Sequence, residues 1–125
     1  MKRDLELWRA ILIKVEDLPP GRDLSSPLEI DGYEEEVVAE HVKLLEEAGL
    51  IEAQMVIAPN WMGVKQVEHY VIFRLLNEGH EFVANAKNPK IWKKFSSSIG
   101  NNGGDVSLAV TKGVLTKIAL EFFGL

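Results

Sequence analysis

The stretch HVKLLEEAGLIEA, His41 to Ala53, contains the second half of an amphipathic helix, a glycine stop and the first residues of a strand. Val37, His41, Leu44, Leu45 and Ala48 recur at the three-and-four spacing of one helical face, and Val38 and Val42 widen it. Glu34 to Glu36 fall in the first turn, where carboxylates complement the exposed N–H groups of a helix start. Gly49 closes the helix, because glycine takes the left-handed conformation of a C-terminal cap without steric cost. Leu50 and Ile51 then return the chain to the core.

Outward from this stretch, two strand-like segments follow: LIEAQMVIAP, and QVEHYVIFRL from Gln66 to Leu75. In the second, Val67, His69, Val71 and Phe73 alternate with Glu68, Tyr70, Ile72 and Arg74, the two-residue period of a strand. The loop NWMGVK, Asn60 to Lys65, has hairpin length and contains Gly63. Toward the N-terminus, Leu5, Trp8, Leu12 and Val15 with Ile11 predict a helix over Arg3 to Leu18, stopped by Pro19-Pro20-Gly21, and Leu28 to Ile30 predict a short strand before a turn at Asp31-Gly32. Toward the C-terminus, Asn77 is the expected cap of a helix carrying Phe82, Val83 and Ala86, and a further helix is expected over Ile91 to Ile99. Ser96 to Asp105 then reads as a flexible connection to a last helix starting at Asp105 or Ser107. Its apolar residues include Val106, Ala109, Val110, Val114, Ile118 and Phe122.

A helix ending in AGLI and running directly into a hairpin is the arrangement of a winged helix. The expected fold is therefore α+β: helices with a small three-stranded antiparallel sheet, the wing at Asn60 to Lys65, and additional C-terminal helices. One domain is expected over residues 1–125, with a winged-helix core over 1–88 and a helical extension over 89–125. The blocks MKRDLELWRAIL, LEIDGYEEEVVAEHVKLLEEAGLIEA, RLLNEGHEFVANAK and IWKKF together resemble the bacterial and prophage-associated domain of unknown function family 2513 over nearly the whole chain. That resemblance implies a winged-helix-like fold and makes a regulatory or phage-related role the expectation; it implies no activity, cofactor or catalytic residue. Leu76 departs from the threonine more often found there, which leaves the helix cap to Asn77. A helix-turn-helix also needs a supporting helix before the reading helix, and Asp31-Gly32-Tyr33 leaves room only for a turn.

Composition narrows the function. A chain of 125 residues with 46% hydrophobic content suffices for one core. With no cysteine, disulfides and Cys-based zinc or redox sites are excluded, and a reducing, cytoplasmic setting is expected. No apolar run approaches the length of a membrane span, so no membrane partner is expected. The net charge of −5 is unevenly divided: residues 1–63 hold 14 acids and 6 bases, residues 64–125 hold 5 acids and 8 bases, so a polyanion would be drawn to the second half.

Three surfaces are candidates. With Val37, His41, Leu44 and Leu45 turned inward, the exposed side of the central helix is Glu35, Glu36, Ala39, Glu40, Lys43, Glu46 and Glu47, which repels phosphate and suits a protein partner; Glu36, Glu40, Lys43 and Glu47 are the candidate contacts. At the wing, Lys65 and Gln66 can reach backbone and base edges of double-stranded DNA beside Trp61 and Met62. The third surface is Lys87, Lys90, Lys93 and Lys94, interleaved with Trp92 and Phe95, which either grip and stack nucleic acid or serve as a solvated rim over two core anchors. No metal site or cofactor is expected, since His41, His69 and His80 lie on different elements and GHEF lacks a second histidine four residues on. GNNGGD is not followed by Lys-Ser or Lys-Thr and is not a phosphate-binding loop. The expectation is a non-enzymatic, transcription-associated regulator binding DNA weakly or through its wing. The competing expectation is a protein-interaction module using helix 34–48 or the C-terminal helix, and a homodimer through the C-terminal helix fits either.

Overall fold

The computed structural model describes residues 1–100 and 106–125. Helix α1 (Leu5–Glu16) buries Leu5, Leu7, Trp8, Ile11, Leu12 and Val15, the stripe its spacing dictates, and Asp4 caps it by accepting the Leu7 N–H at 3.2 Å. The chain then enters β1 (Leu24–Ser25), two residues that pair antiparallel with Ile72 and Val71. The expected strand at Leu28 to Ile30 is not formed, and the strand lies four residues earlier. Pro27 has no N–H to continue the ladder, and Leu28 instead buries its side chain and donates its N–H to the Tyr70 hydroxyl at 3.1 Å. Between β1 and the next helix there is only a loop with a turn at Asp31-Gly32, so the position of a supporting helix is taken by irregular chain.

Helix α2 (Glu35–Glu47) buries Val38, Ala39, His41, Val42 and Leu45, whereas Val37, Leu44 and Ala48 are half-buried. The buried stripe is therefore rotated toward Val38 and Val42 from the expected centre, and Ala39, expected outside, is inside. His41 is fully buried with both ring nitrogens engaged: Nδ1 donates to the Val37 carbonyl at 2.8 Å and Nε2 accepts the Asp4 N–H at 2.9 Å. The helix ends in a paired cap, with Leu50 N–H on the Leu45 carbonyl and Gly49 N–H on that of Glu46. This geometry requires the positive φ of 77° that Gly49 supplies.

β2 (Ile51–Pro59) and β3 (Lys65–Leu75) form the hairpin, and the antiparallel sheet has the order β1-β3-β2. β3 departs from simple alternation. Register shifts opposite Glu52/Ala53 and Val56/Ile57 leave Phe73 and Glu68 as extra residues in β3. Each extra residue reverses the side-chain phase, so the core face is Val67, Tyr70, Ile72 and Leu75, not Val67, His69, Val71 and Phe73.

Helix α3 (Asn77–Ala86) buries Gly79, Phe82, Val83 and Ala86. Its N-cap is Leu76 without a side-chain bond; Asn77 is already helical, and the expected Asn77 cap is absent. The Leu76 N–H is instead taken by the Leu50 carbonyl at 2.9 Å. Asn88 caps α4 (Pro89–Ile99) through the Lys90 and Ile91 N–H groups, and Ser96 to Ile99 belong to that helix, shortening the expected flexible connection. Gly100 is the C-cap of α4, and residues 101–105 of that connection lie outside the described residues. Ser107 caps α5 (Leu108–Phe122), which buries Thr111, Leu115, Ile118 and Ala119. Edge-to-face contacts link Trp8, Phe82 and Trp92, and Phe95 stacks on Trp92 at 4.9 Å, so α1, α3 and α4 share one aromatic seam. The fold is α+β, with five helices among the described residues and a three-stranded antiparallel sheet, compatible with a winged-helix-like arrangement. Among the described residues, no helix is long and apolar enough to cross a membrane.

Candidate interaction surfaces

The hairpin tip is organised by one side chain. Asn60 Oδ1 accepts the N–H groups of Met62 and Val64 at 2.9 and 3.0 Å, while the Asn60 N–H donates to the Val64 carbonyl at 2.8 Å. Gly63 completes the turn at φ 79°. With its backbone held by Asn60, the tip directs its large side chains into solvent: Trp61 is 91% exposed, Met62 67% and Val64 57%. Trp61 does not fold back on the helices. Val56 and Ile57 on β2 are also exposed, extending the apolar surface down the strand. Lys65 and Gln66 are exposed beside it, and Gln66 Oε1 lies 3.5 Å from Asn60 Nδ2. Lys65 is the only cation between residues 56 and 66, and that segment contains no carboxylate.

On α2, Glu36, Glu46 and Glu47 are exposed, and Glu40 and Lys43 are half-buried. The outer side of this helix is carboxylate-rich, as its sequence dictates. Glu35 departs from the others. Its carboxyl accepts from the Tyr70 hydroxyl at 3.4 Å, and burial pushes it above the usual carboxylate range against the opposing pull of that bond. Burial and the neighbouring Glu35 charge likewise push the Tyr70 hydroxyl up. Burial and the hydrogen bond to Asp4 push Tyr33 up to about 12.

The lysine cluster is divided. Lys87 pairs with Glu16 at 3.2 Å and Lys94 with Glu121 at 3.8 Å. Lys90 and Lys93 are exposed and form no ion pair among the described residues. Trp92 and Phe95 are buried core anchors, so neither is available for base stacking. Helix α1 lies beside the cluster, yet Arg9 and the preceding Arg3 serve the fold. Arg9 donates to the carbonyls of Ala86 and Lys87 at the end of α3 and sits over Trp92, and Arg3 donates to the Val106 carbonyl at 2.7 Å. Trp92 Nε1 donates to Glu6 at 2.7 Å, placing a carboxylate within the same neighbourhood.

The wing and the cluster are not brought together. From Pro59 to Ile51 the hairpin runs eight residue steps, roughly 26 Å at about 3.3 Å each. The cluster follows α3, which begins beyond the Ile51–Leu75 end. Alternation in the sequence does not reveal the exposure of Val56 and Ile57. The uninterrupted apolar run MVIAP was its only trace, because the phase of β3 depends on bulges that alternation alone does not reveal.

The family model described as Hypothetical protein (DUF2513) matches residues 2–105. An uncharacterized protein of Haemophilus influenzae is 35% identical over 119 residues, covering 94% of this chain and 95% of its own length. No solved structure matches the chain.

Proposed function

This chain belongs to the DUF2513 family, and we propose that it is a non-catalytic regulatory protein that recognises other protein surfaces through the tip and free side of its β2–β3 hairpin. The observation that carries the reading is Trp61, 91% exposed at the end of a hairpin whose loop is held in shape by Asn60. A large apolar side chain presented by a preorganised loop loses little conformational entropy on docking, and tryptophan is among the residues that dominate protein interfaces. The charge distribution argues in the same direction. The wing has one cation, α2 exposes glutamates, and half of the lysine cluster is already paired with carboxylates. A nucleic-acid site draws its affinity from several cations facing phosphates together. His41 has both ring nitrogens occupied within the core, so it is not free to move a proton for a substrate.

DNA binding is the second reading, favoured by Lys90 and Lys93 projecting from one side of α4. The two readings part in a titration of the full chain with random-sequence duplex DNA at low ionic strength. Protein recognition predicts no saturable binding. Saturable binding that weakens steeply with added salt, and is lost in the double variant Lys90→Glu, Lys93→Glu, would replace it with the DNA reading.

A further inference from the structure

We propose that β2 is the dimerisation strand of this protein, its free edge pairing antiparallel with β2 of a second copy to give a continuous six-stranded sheet. In the order β1-β3-β2, β2 is an edge of nine residues, whereas the opposite edge, β1, has two. Exposed edges in monomeric proteins are ordinarily blunted by shortness, lysine, bulges or inward-pointing charge. β2 has none of these protections: both register shifts add residues to β3, its only charge is Glu52, and its proline is the last residue. Glu52 is itself held by Arg74 of β3 at 3.2 Å.

Charge and apolar surface both select a second copy, and both select the antiparallel sense. The start of β2 is acidic, with Glu46 and Glu47 at the end of α2 and Glu52 in the strand; the opposite end has Lys65 and no carboxylate from Val56 to Gln66. A two-fold axis near Met55 sets Glu52 across from Ala58 and Ile51 across from Pro59, so no charge faces its own copy. The Lys65 end of each copy then lies against the acidic end of the other, twice. Parallel pairing would stack like on like. The same rotation carries Trp61 and Met62 of one copy toward the α2–β2 corner of its partner, where Leu44 and Ala48 are half-buried. Two tryptophans together bring about 300–500 Å² of surface, against the roughly 1,200 Å² at which stable interfaces begin, before the paired strands are counted.

This names the partner for the protein-recognition reading and rests on it, and the test separates the two. Sedimentation velocity of the full chain over a concentration series is expected to show a monomer–dimer equilibrium, with residues 51–59 gaining amide protection as the dimer forms. Val56→Lys and Trp61→Ser alter exposed side chains and should each raise the dimer dissociation constant by at least about tenfold, without lowering the monomer's thermal midpoint. Lys65→Glu should weaken the dimer, and adding Glu47→Lys should restore it, a recovery that lost folding cannot mimic. A chain that stays monomeric at the highest attainable concentration overturns edge pairing. So does a dimer that ignores Val56→Lys but is lost on Leu120→Lys, which would assign self-association to α5. Neither result touches the protein-recognition reading, which falls instead if duplex DNA binds with a steep salt dependence.

Discussion

Glu35 shows how one residue's surroundings change its chemistry. Glu36, Glu46 and Glu47 on α2 are exposed, but Glu35 is drawn against Tyr70, whose hydroxyl also accepts the Leu28 N–H and so ties the loop after β1 to the sheet. Burial raises the Glu35 carboxyl above its unfolded value. For a group raised in this way the folded state holds its proton more tightly, so its contribution to stability is fully present below the unfolded value and is lost as pH rises through the folded value. Glu35→Gln keeps an acceptor for Tyr70 and removes the charge. Thermal melts should therefore place the variant above the wild type at neutral pH, with the gap closing as pH falls below the carboxylate range. A gap that widens toward acid would show that the charge itself stabilises the fold.

At the level of elements, the corner where α2, β2 and α3 meet depends on Gly79. The Leu50 carbonyl accepts the Leu76 N–H, and a Cβ built on Gly79 would fall on the Leu50 carbonyl oxygen, far inside van der Waals contact. Because the obstacle is backbone, rotamer changes cannot relieve it. Gly79→Ala should cost about 2–3 kcal/mol in chemical denaturation, despite the better helix propensity of alanine, because α3 must lift from the start of β2. A neutral or stabilising result would mean that α3 can shift without losing its packing. The same corner gives the GHEF segment a structural purpose: the glycine allows close approach, and Phe82 three residues later enters the aromatic seam.

For the molecule as a whole, α5 completes the core as well as carrying exposed apolar residues. Leu115, Ile118 and Ala119 are buried in the same cluster as Ile91, Trp92 and Phe95. Lys112 bonds Glu78 across to α3, and Lys94 pairs with Glu121. A chain ended after Gly100 should therefore melt well below the full chain and become readily cleaved by proteases, since uncovering several large apolar side chains costs on the order of 1.5–3 kcal/mol each. An unchanged melt would show that residues 1–100 form a self-sufficient core. Val110 and Leu120 are exposed away from that stripe, and Phe122 and Phe123 are exposed where the helix ends.

Much of this architecture was legible in the residues. The stripe of α1, the carboxylate-rich outside of α2, the Gly49 stop, the hairpin with its turn and the anchors Trp92 and Phe95 all follow from periodicity and turn chemistry acting over a few neighbouring residues. What escaped depends on partners distant in sequence. Leu28 leaves the sheet because Tyr70 takes its N–H; Leu76 rather than Asn77 begins α3 because Leu50 takes its N–H; the phase of β3 is reset twice against β2. The candidate surface divides in the same way. Sequence determined that the wing had a tryptophan and one lysine, and that the late lysines were numerous. Only the tertiary structure decided that Trp61 faces solvent, that Arg9 is spent on the end of α3, and that wing and lysines sit at opposite ends of a hairpin. Local preference is set by adjacent atoms, whereas exposure and separation are set by which distant elements pack between them.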